Sequence, residues 1–142
     1  MDKGFVAKAS ITLDAPAADV WKALTDPSMI KQYFFGTDVA SDWKPGSPIV
    51  FRGEWQGKGY EDKGVILEAE PERLLKYTHS SNLSGLPDTP ENYHTVTITL
   101  VGQGPRTVVS LSQDNNRTEQ ARDHSQKNWE SILASLKKLL ED

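Results

Sequence analysis

The sequence contains no cysteine in its 142 residues, and this absence excludes disulfide bridges, thiolate metal sites and cysteine nucleophiles together. Long apolar runs are also missing, because no stretch approaches the roughly 20 apolar residues that a membrane-spanning helix needs. Apolar residues make up only 37% of the chain, which still allows one folded core in a chain of this length. We therefore expect one domain over residues 1–142, with no integral membrane association.

Positive charge is scarce as well. Sixteen Lys and Arg stand against 20 Asp and Glu, for a net charge of −4, and the basic residues form no run. Because nucleic-acid-binding surfaces carry basic patches, the sequence argues against nucleic acid as a partner. The start, Met-Asp-Lys-Gly-Phe, lacks the apolar segment of a signal peptide, which predicts a cytoplasmic protein.

Motifs for catalysis and metal binding are few. The histidines His79, His94 and His124 have no second ligand at a metal-site spacing such as His-x-x-x-His. No Gly-x-Ser-x-Gly nucleophile motif is present. The carboxylates near one predicted hairpin are interpreted as solvated strand ends; they are Glu54, Glu61 and Asp62. We therefore predict no metal site and no cofactor, and we assign no catalytic residue.

The beginning of the chain predicts one strand and two short helices. Residues 5–13 alternate between apolar and polar with a period of two, which is typical of a strand with one buried face. Pro16 suits the first position of a helix, where a missing N–H costs nothing. Asp26 and Pro27 end this helix and begin a second one, because aspartate caps helices and proline fits the first turn.

The middle of the chain, to about residue 113, predicts β-structure. Short alternating segments separated by glycine or proline turns predict about seven strands in total, and short turns require an antiparallel sheet. Residues 80–92, rich in glycine and proline, are interpreted as a surface loop. From the alternation we take the following strand residues as facing an interior cavity: Phe51, Val65, Leu67, Tyr77, His79, His94 and Ile98.

The last segment predicts a helix of roughly 24 residues with one apolar stripe. Asn116 is interpreted as its cap, with Glu119 completing a capping box. The second half of the stripe is rich in leucine, whereas the first half contains Ala121, Ser125 and Trp129. Small and polar residues facing a sheet leave room, so we predict a cavity between the sheet and the first half of this helix. Alternatively, those first turns project beyond the sheet into water.

The residues proposed to contact a ligand each have a second interpretation. Phe34 and Trp129 are also explained as core residues, and Tyr77 as simple packing. His79 is either a polar anchor or base in the cavity, or a hydrogen-bonded histidine of the core. His94 shares the alternation of the inner face, so it is expected at the mouth of the cavity.

Two motifs carry a resemblance to a known family. They are VW-x-ALTDP at residues 20–27 and W-x-x-x-L-x-x-L-K at residues 129–137, joined by matching residues within 64–74 and 96–107. The sequence resembles the family related to the activator of the heat-shock protein 90 ATPase, in the START-like (SRPBCC) superfamily. The resemblance implies an α+β helix-grip fold, in which a curved antiparallel sheet wraps around a long C-terminal helix and encloses a cavity.

Three functions follow as hypotheses. The first is binding of a small hydrophobic or amphipathic molecule, such as a lipid, in the cavity. The second is a protein-interaction module that assists a chaperone ATPase, although the chain does not contain the additional N-terminal domain of eukaryotic activators. The third is a cyclase or hydrolase that uses His79 with Tyr77. A shared fold alone does not decide between them.

Overall fold

A computed structural model describes residues 4–34, 36–55, 57–80 and 92–141. It confirms the expected α+β class, with the two short helices after the first strand and the long helix at the C-terminal end. The elements, in chain order, are β1 (Phe5–Leu13), α1 (Ala17–Thr25), α2 (Pro27–Tyr33), β2 (Asp38–Ser41), β3 (Pro48–Trp55), β4 (Lys58–Glu70), β5 (Leu74–His79), β6 (His94–Gln103), β7 (Arg106–Asn116) and α3 (Glu119–Glu141).

The strands form one antiparallel sheet in the order β1-β7-β6-β5-β4-β3-β2. Strands β2 to β7 follow one another as a meander, and β1 pairs with β7 at the far edge. This pairing places Phe5, at the start of β1, opposite Asn116 at the end of β7, close to where α3 begins. The predicted loop at residues 80–92 connects β5 to β6, but residues 81–91 lie outside the described part of the chain.

Strand β4 contradicts the sequence analysis at two positions. Val65 and Leu67, predicted to line the cavity, lie on the outer face with 41% of each residue exposed, whereas Ile66 between them is fully buried. The cause is a bulge: Ile66 pairs with Tyr77 and Glu68 with Lys76, so Leu67 is an extra residue that reverses the alternation. The expectation that Val65 and Leu67 face inward is therefore wrong.

The helix starts follow capping chemistry. The Asp26 carboxylate accepts a hydrogen bond from the Ser28 backbone N–H (2.9 Å), and Pro27 occupies the first turn of α2, as predicted. At α3 the predicted cap is wrong, because the Thr118 hydroxyl accepts the Ala121 backbone N–H (3.0 Å). Asn116 is instead buried at the end of β7, where its amide donates to the carbonyl oxygen of Phe5.

Helix α3 packs along β1 and closes the buried face of the sheet. Trp129, Ile132, Leu133 and Leu136 are its buried residues, and they lie against inward side chains from most of the strands. Among the described residues, no helix is long and apolar enough to cross a membrane.

Candidate functional site

A cleft of about 440 Å³ lies between the sheet and the first half of α3. Strands β3, β4, β5 and β7 supply its wall, α3 supplies the opposite side, and α2 with the turn after it closes one end. The lining residues are Phe34, Thr37, Phe51, Glu54, Tyr60, Asp62, Tyr77, His79, Gln113, His124, Ser125, Asn128, Trp129 and Ile132. The second half of α3 is packed much more tightly, because the gap beside its leucines is only about 40 Å³.

Aromatic rings form the apolar part of the cleft. The ring of Phe34 stacks on Phe51 at 6.0 Å between centroids and meets the edge of Trp129 at 5.7 Å. Phe51 in turn lies 5.8 Å from Tyr77. These separations are typical of favourable aromatic pairs, so the rings hold one another in place and present fixed faces to the cleft.

A hydrogen-bonded network anchors Trp129 on the helix side. Its indole N–H donates to the Gln113 side-chain oxygen (2.6 Å), and the Ser125 hydroxyl donates to the Asn116 side-chain oxygen (3.0 Å). Gln113 and Asn116 are both buried. Gln113 faces inward on β7, in the same alternation as Val109 and Leu111. A polar residue at an inward position of a strand indicates a buried hydrogen bond, and this signal was present in the sequence.

The polar end of the cleft contains a carboxylate–imidazole pair. His79 Nε2 lies 3.1 Å from Asp62 Oδ2, and the two side chains are only 25% and 14% exposed. Because a carboxylate oxygen accepts, the contact assigns the proton to Nε2. The edge of the His79 ring also contacts Phe51, at 5.3 Å between centroids. The interpretation of Asp62 as a solvated strand end is wrong, because its side chain lines the cleft.

Tyr60 crosses strand β3 to close the other side of the polar end. Its hydroxyl shares a hydrogen bond of 2.6 Å with the hydroxyl of the buried Thr37. Gly53 permits this arrangement, because a Cβ at that position would come within 2.6 Å of the Tyr60 hydroxyl oxygen. The absence of a side chain at Gly53 therefore leaves the space that the Tyr60 ring occupies beside the cleft.

The structure brings together some of the predicted ligand contacts and separates others. Those that line the cleft are Phe34, Phe51, Tyr77, His79 and Trp129. Ile98 faces the narrow gap beside the leucines, and Val65 and Leu67 lie outside. His94 lines a separate depression with Asn115 and Asn116, although its ring is only 6.4 Å from that of His79.

His94 is half-buried, and this shifts its pKa. Burial lowers the pKa of His94 from its ordinary value of 6.5, although the hydrogen bond from Nδ1–H to the Asp114 carbonyl oxygen (2.8 Å) opposes this effect. In the unfolded chain, His94 binds a proton as the pH falls through about 6.5, whereas folded His94 binds it only at lower pH. The free energy of unfolding therefore falls as the pH drops below about 6.5.

His94→Asn keeps an amide donor for Asp114 and removes this titration. We expect the free energy of unfolding of the variant to fall less steeply than that of the wild type as pH drops from 7 towards 5. Urea unfolding across this range measures both slopes. Equal slopes would contradict the lowered pKa of the half-buried His94.

The family of Activator of Hsp90 ATPase homolog 1-like protein matches residues 14–141 of the sequence. The chain belongs to this family. No curated protein is significantly similar to the chain. The match covers every element except β1, so it includes all the described residues that line the cleft.

Solved structures of other proteins share the fold of this chain. A Cytophaga hutchinsonii protein, solved in solution, is 51% identical, with a TM-score of 0.86 over 99% of this chain and 97% of its own. DynU16, from the dynemicin biosynthetic locus, is 21% identical with a TM-score of 0.79, covering 99% and 48% of the two chains. The Aha1 dimer of Colwellia psychrerythraea is 20% identical with a TM-score of 0.75, covering 96% of each chain.

The described lining of the cleft consists of aromatic rings, a few polar groups and apolar side chains. Within the described residues, no group of three or more histidines and carboxylates is placed to hold a metal ion. The cleft combines an aromatic wall with one half-buried polar pair, Asp62 and His79, at its end. That combination is typical of sites that bind a small molecule with an apolar body and one polar group.

Proposed function

We propose that the protein binds a small amphipathic molecule in the cleft between the sheet and the first half of α3. The observation that carries the proposal is the size and lining of the cleft. About 440 Å³ lies within the range of volumes of small-molecule sites. The apolar body lies against Phe34, Phe51 and Trp129, and no cofactor takes part.

One structural relative supports a small organic ligand. DynU16 is associated with the dynemicin biosynthetic locus, and the present chain shares its fold over 99% of its own length. Proteins of one fold differ in chemistry, so the relative supports the type of site and not a particular compound. We place this binding in the cytoplasm, the compartment that the sequence predicts.

The test is a binding experiment with a variant that fills the cleft. Asn128 is exposed and lines the cleft, so Asn128→Trp is expected to place an indole ring at its mouth. Native mass spectrometry with a panel of aromatic and aliphatic amphiphiles identifies compounds that bind one per chain. We expect Asn128→Trp to weaken their binding by about tenfold or more, equal to at least about 1.4 kcal/mol.

Ser131→Trp is the matched control, since Ser131 is exposed on the same helix but does not line the cleft. This variant introduces the same ring and is expected to leave binding unchanged. Absence of any bound compound across the panel would contradict the proposal, and so would equal binding by the two variants.

A second candidate function has support from the family. The family is described by activation of the Hsp90 ATPase, and one structural relative is an Aha1 dimer. In this alternative the surface of the protein stimulates a chaperone. An ATPase assay with the chaperone tests it, because unchanged turnover at a large excess of this protein would reject it.

The hydrolase alternative would use His79 with Asp62, since Asp62 rather than Tyr77 is the group that pairs with this imidazole.

A further inference from the structure

The described lining of the cleft contains carboxylates but no lysine or arginine side chain. Glu54 and Asp62 are its carboxylates, and the lining described by the structure includes no lysine or arginine. Among the lining residues that the structure describes, the basic side chains are therefore histidines, and a negatively charged ligand would meet no lysine or arginine among them.

Asp62 is a carboxylate with little compensation. Its side chain is only 14% exposed, and one oxygen, Oδ2, contacts His79. The other oxygen, Oδ1, is buried and has no hydrogen-bond partner among the described residues. Removing a carboxylate from water is costly unless nearby positive charge or donors compensate. A cation in the cleft would supply that missing compensation.

The imidazole adds a second acceptor beside the carboxylate. Because Nε2–H of His79 donates to Asp62, the neutral ring carries its lone pair on Nδ1. Nδ1 makes no hydrogen bond to a described residue, and His79 lines the cleft. A ligand group that meets this nitrogen must therefore donate a hydrogen bond, which an ionised carboxylate cannot do.

The aromatic wall is also compatible with a cation. Five rings line the cleft, from Phe34, Phe51, Tyr60, Tyr77 and Trp129. The faces of such rings are electron-rich and attract ammonium groups within about 6 Å, most strongly where water is excluded. The same rings provide apolar area for the body of an amphipathic molecule.

We infer that the cleft selects an organic amine, with an apolar or aromatic body against the rings and a protonated amino group at the Asp62–His79 end. This inference rests on the proposed function and names the chemical class of its ligand. It excludes fatty acids and other anionic amphiphiles as the preferred ligands of this site, because their head group would lie beside two carboxylates.

Three compounds with one body separate the head groups. They are 2-(2-naphthyl)ethylamine, 2-(2-naphthyl)ethanol and 2-naphthylacetate, and isothermal titration calorimetry at neutral pH measures their affinities. We expect the amine to bind about tenfold more tightly than the alcohol, which is about 1.4 kcal/mol. The acid is expected to bind more weakly than the alcohol.

Asp62→Asn connects this preference to the carboxylate. The amide retains the shape of the side chain and removes its charge, so the amine should lose about tenfold in affinity while the alcohol stays unchanged. Glu68→Gln is the matched control, because Glu68 is exposed on the same strand and does not line the cleft. If Asp62→Asn does not fold, Glu54→Gln at the exposed rim provides the same test, with an expected loss of about two- to threefold.

The outcomes separate this inference from the proposed function. Tightest binding by the acid, equal affinities for the three compounds, or equal effects of Asp62→Asn and Glu68→Gln would overturn the inference while the cleft remains a binding site. If none of the three compounds binds, the inference also fails. The broader panel of amphiphiles, with its Asn128→Trp and Ser131→Trp variants, then decides the proposed function separately.

Discussion

Gly64→Ala is expected to lower the free energy of unfolding by about 3 kcal/mol or more, because the added methyl group would overlap the backbone of the neighbouring strand. A Cβ at Gly64 would lie far inside van der Waals contact of the Thr78 carbonyl oxygen on β5. The backbone cannot move away cheaply, because Lys63 and Ser80 on one side exchange both backbone hydrogen bonds and the Val65 N–H donates to the Thr78 hydroxyl. Urea unfolding followed by circular dichroism measures the loss.

Gly59→Ala is the control for this prediction. It makes the same substitution in the same strand, but its Cβ would have 4.0 Å to the nearest atom, the Gly53 carbonyl oxygen. We expect its free energy of unfolding to stay within about 0.5 kcal/mol of the wild type. Similar stabilities of the two variants would show that the close approach of β4 and β5 at Gly64 is not as described.

Trp129→Ala is expected to cost about 4 kcal/mol of stability, in the range for a buried aromatic residue. The substitution removes the ring that meets Phe34 and joins the cleft to the packed half of α3. It also leaves the buried Gln113 oxygen without its 2.6 Å hydrogen bond, and an unpaired buried acceptor is costly. Thermal and urea unfolding measure this loss.

Trp129→Phe separates the two contributions to that loss. The phenyl ring retains most of the apolar contact, while the indole N–H is lost, so we expect a cost of about 1–2 kcal/mol. Adding Gln113→Leu removes the unpaired acceptor and should recover part of this cost. A double variant as unstable as the sum of the two single variants would contradict the role given to the hydrogen bond.

The architecture of the molecule was predictable because its signals are periodic and local. Alternation in β1, the Asp26–Pro27 cap and the stripe of α3 each follow from one stretch of sequence. The cap of α3 was harder, since Asn116 and Thr118 are both capping residues within three positions. The Asn116 amide instead donates to the carbonyl oxygens of Gln113 and Phe5, and the bond to Phe5 joins distant parts of the chain.

The site was only partly predictable, because one bulge changes which residues face inward. Counting back along β4 from Ala69 puts Val65 and Leu67 on the inner face and Asp62 on the outer face. The extra residue Leu67 reverses this assignment, and no turn residue or proline in the sequence marks its position. The face of the sheet on which Asp62 lies depends on the register of β4 with β5. The contact between Asp62 and His79 could therefore not be derived from the sequence alone.

The central claim is that a ligand lies between the sheet and the first half of α3. An NMR titration of the isotope-labelled protein with 2-(2-naphthyl)ethylamine tests it most directly. The account predicts that the largest shifts occur at the Trp129 indole N–H, the His79 ring and the backbone of Phe51 and Ser125. Shifts confined to the outer face of the sheet, around Ser10, Thr99 and Ser110, would contradict it.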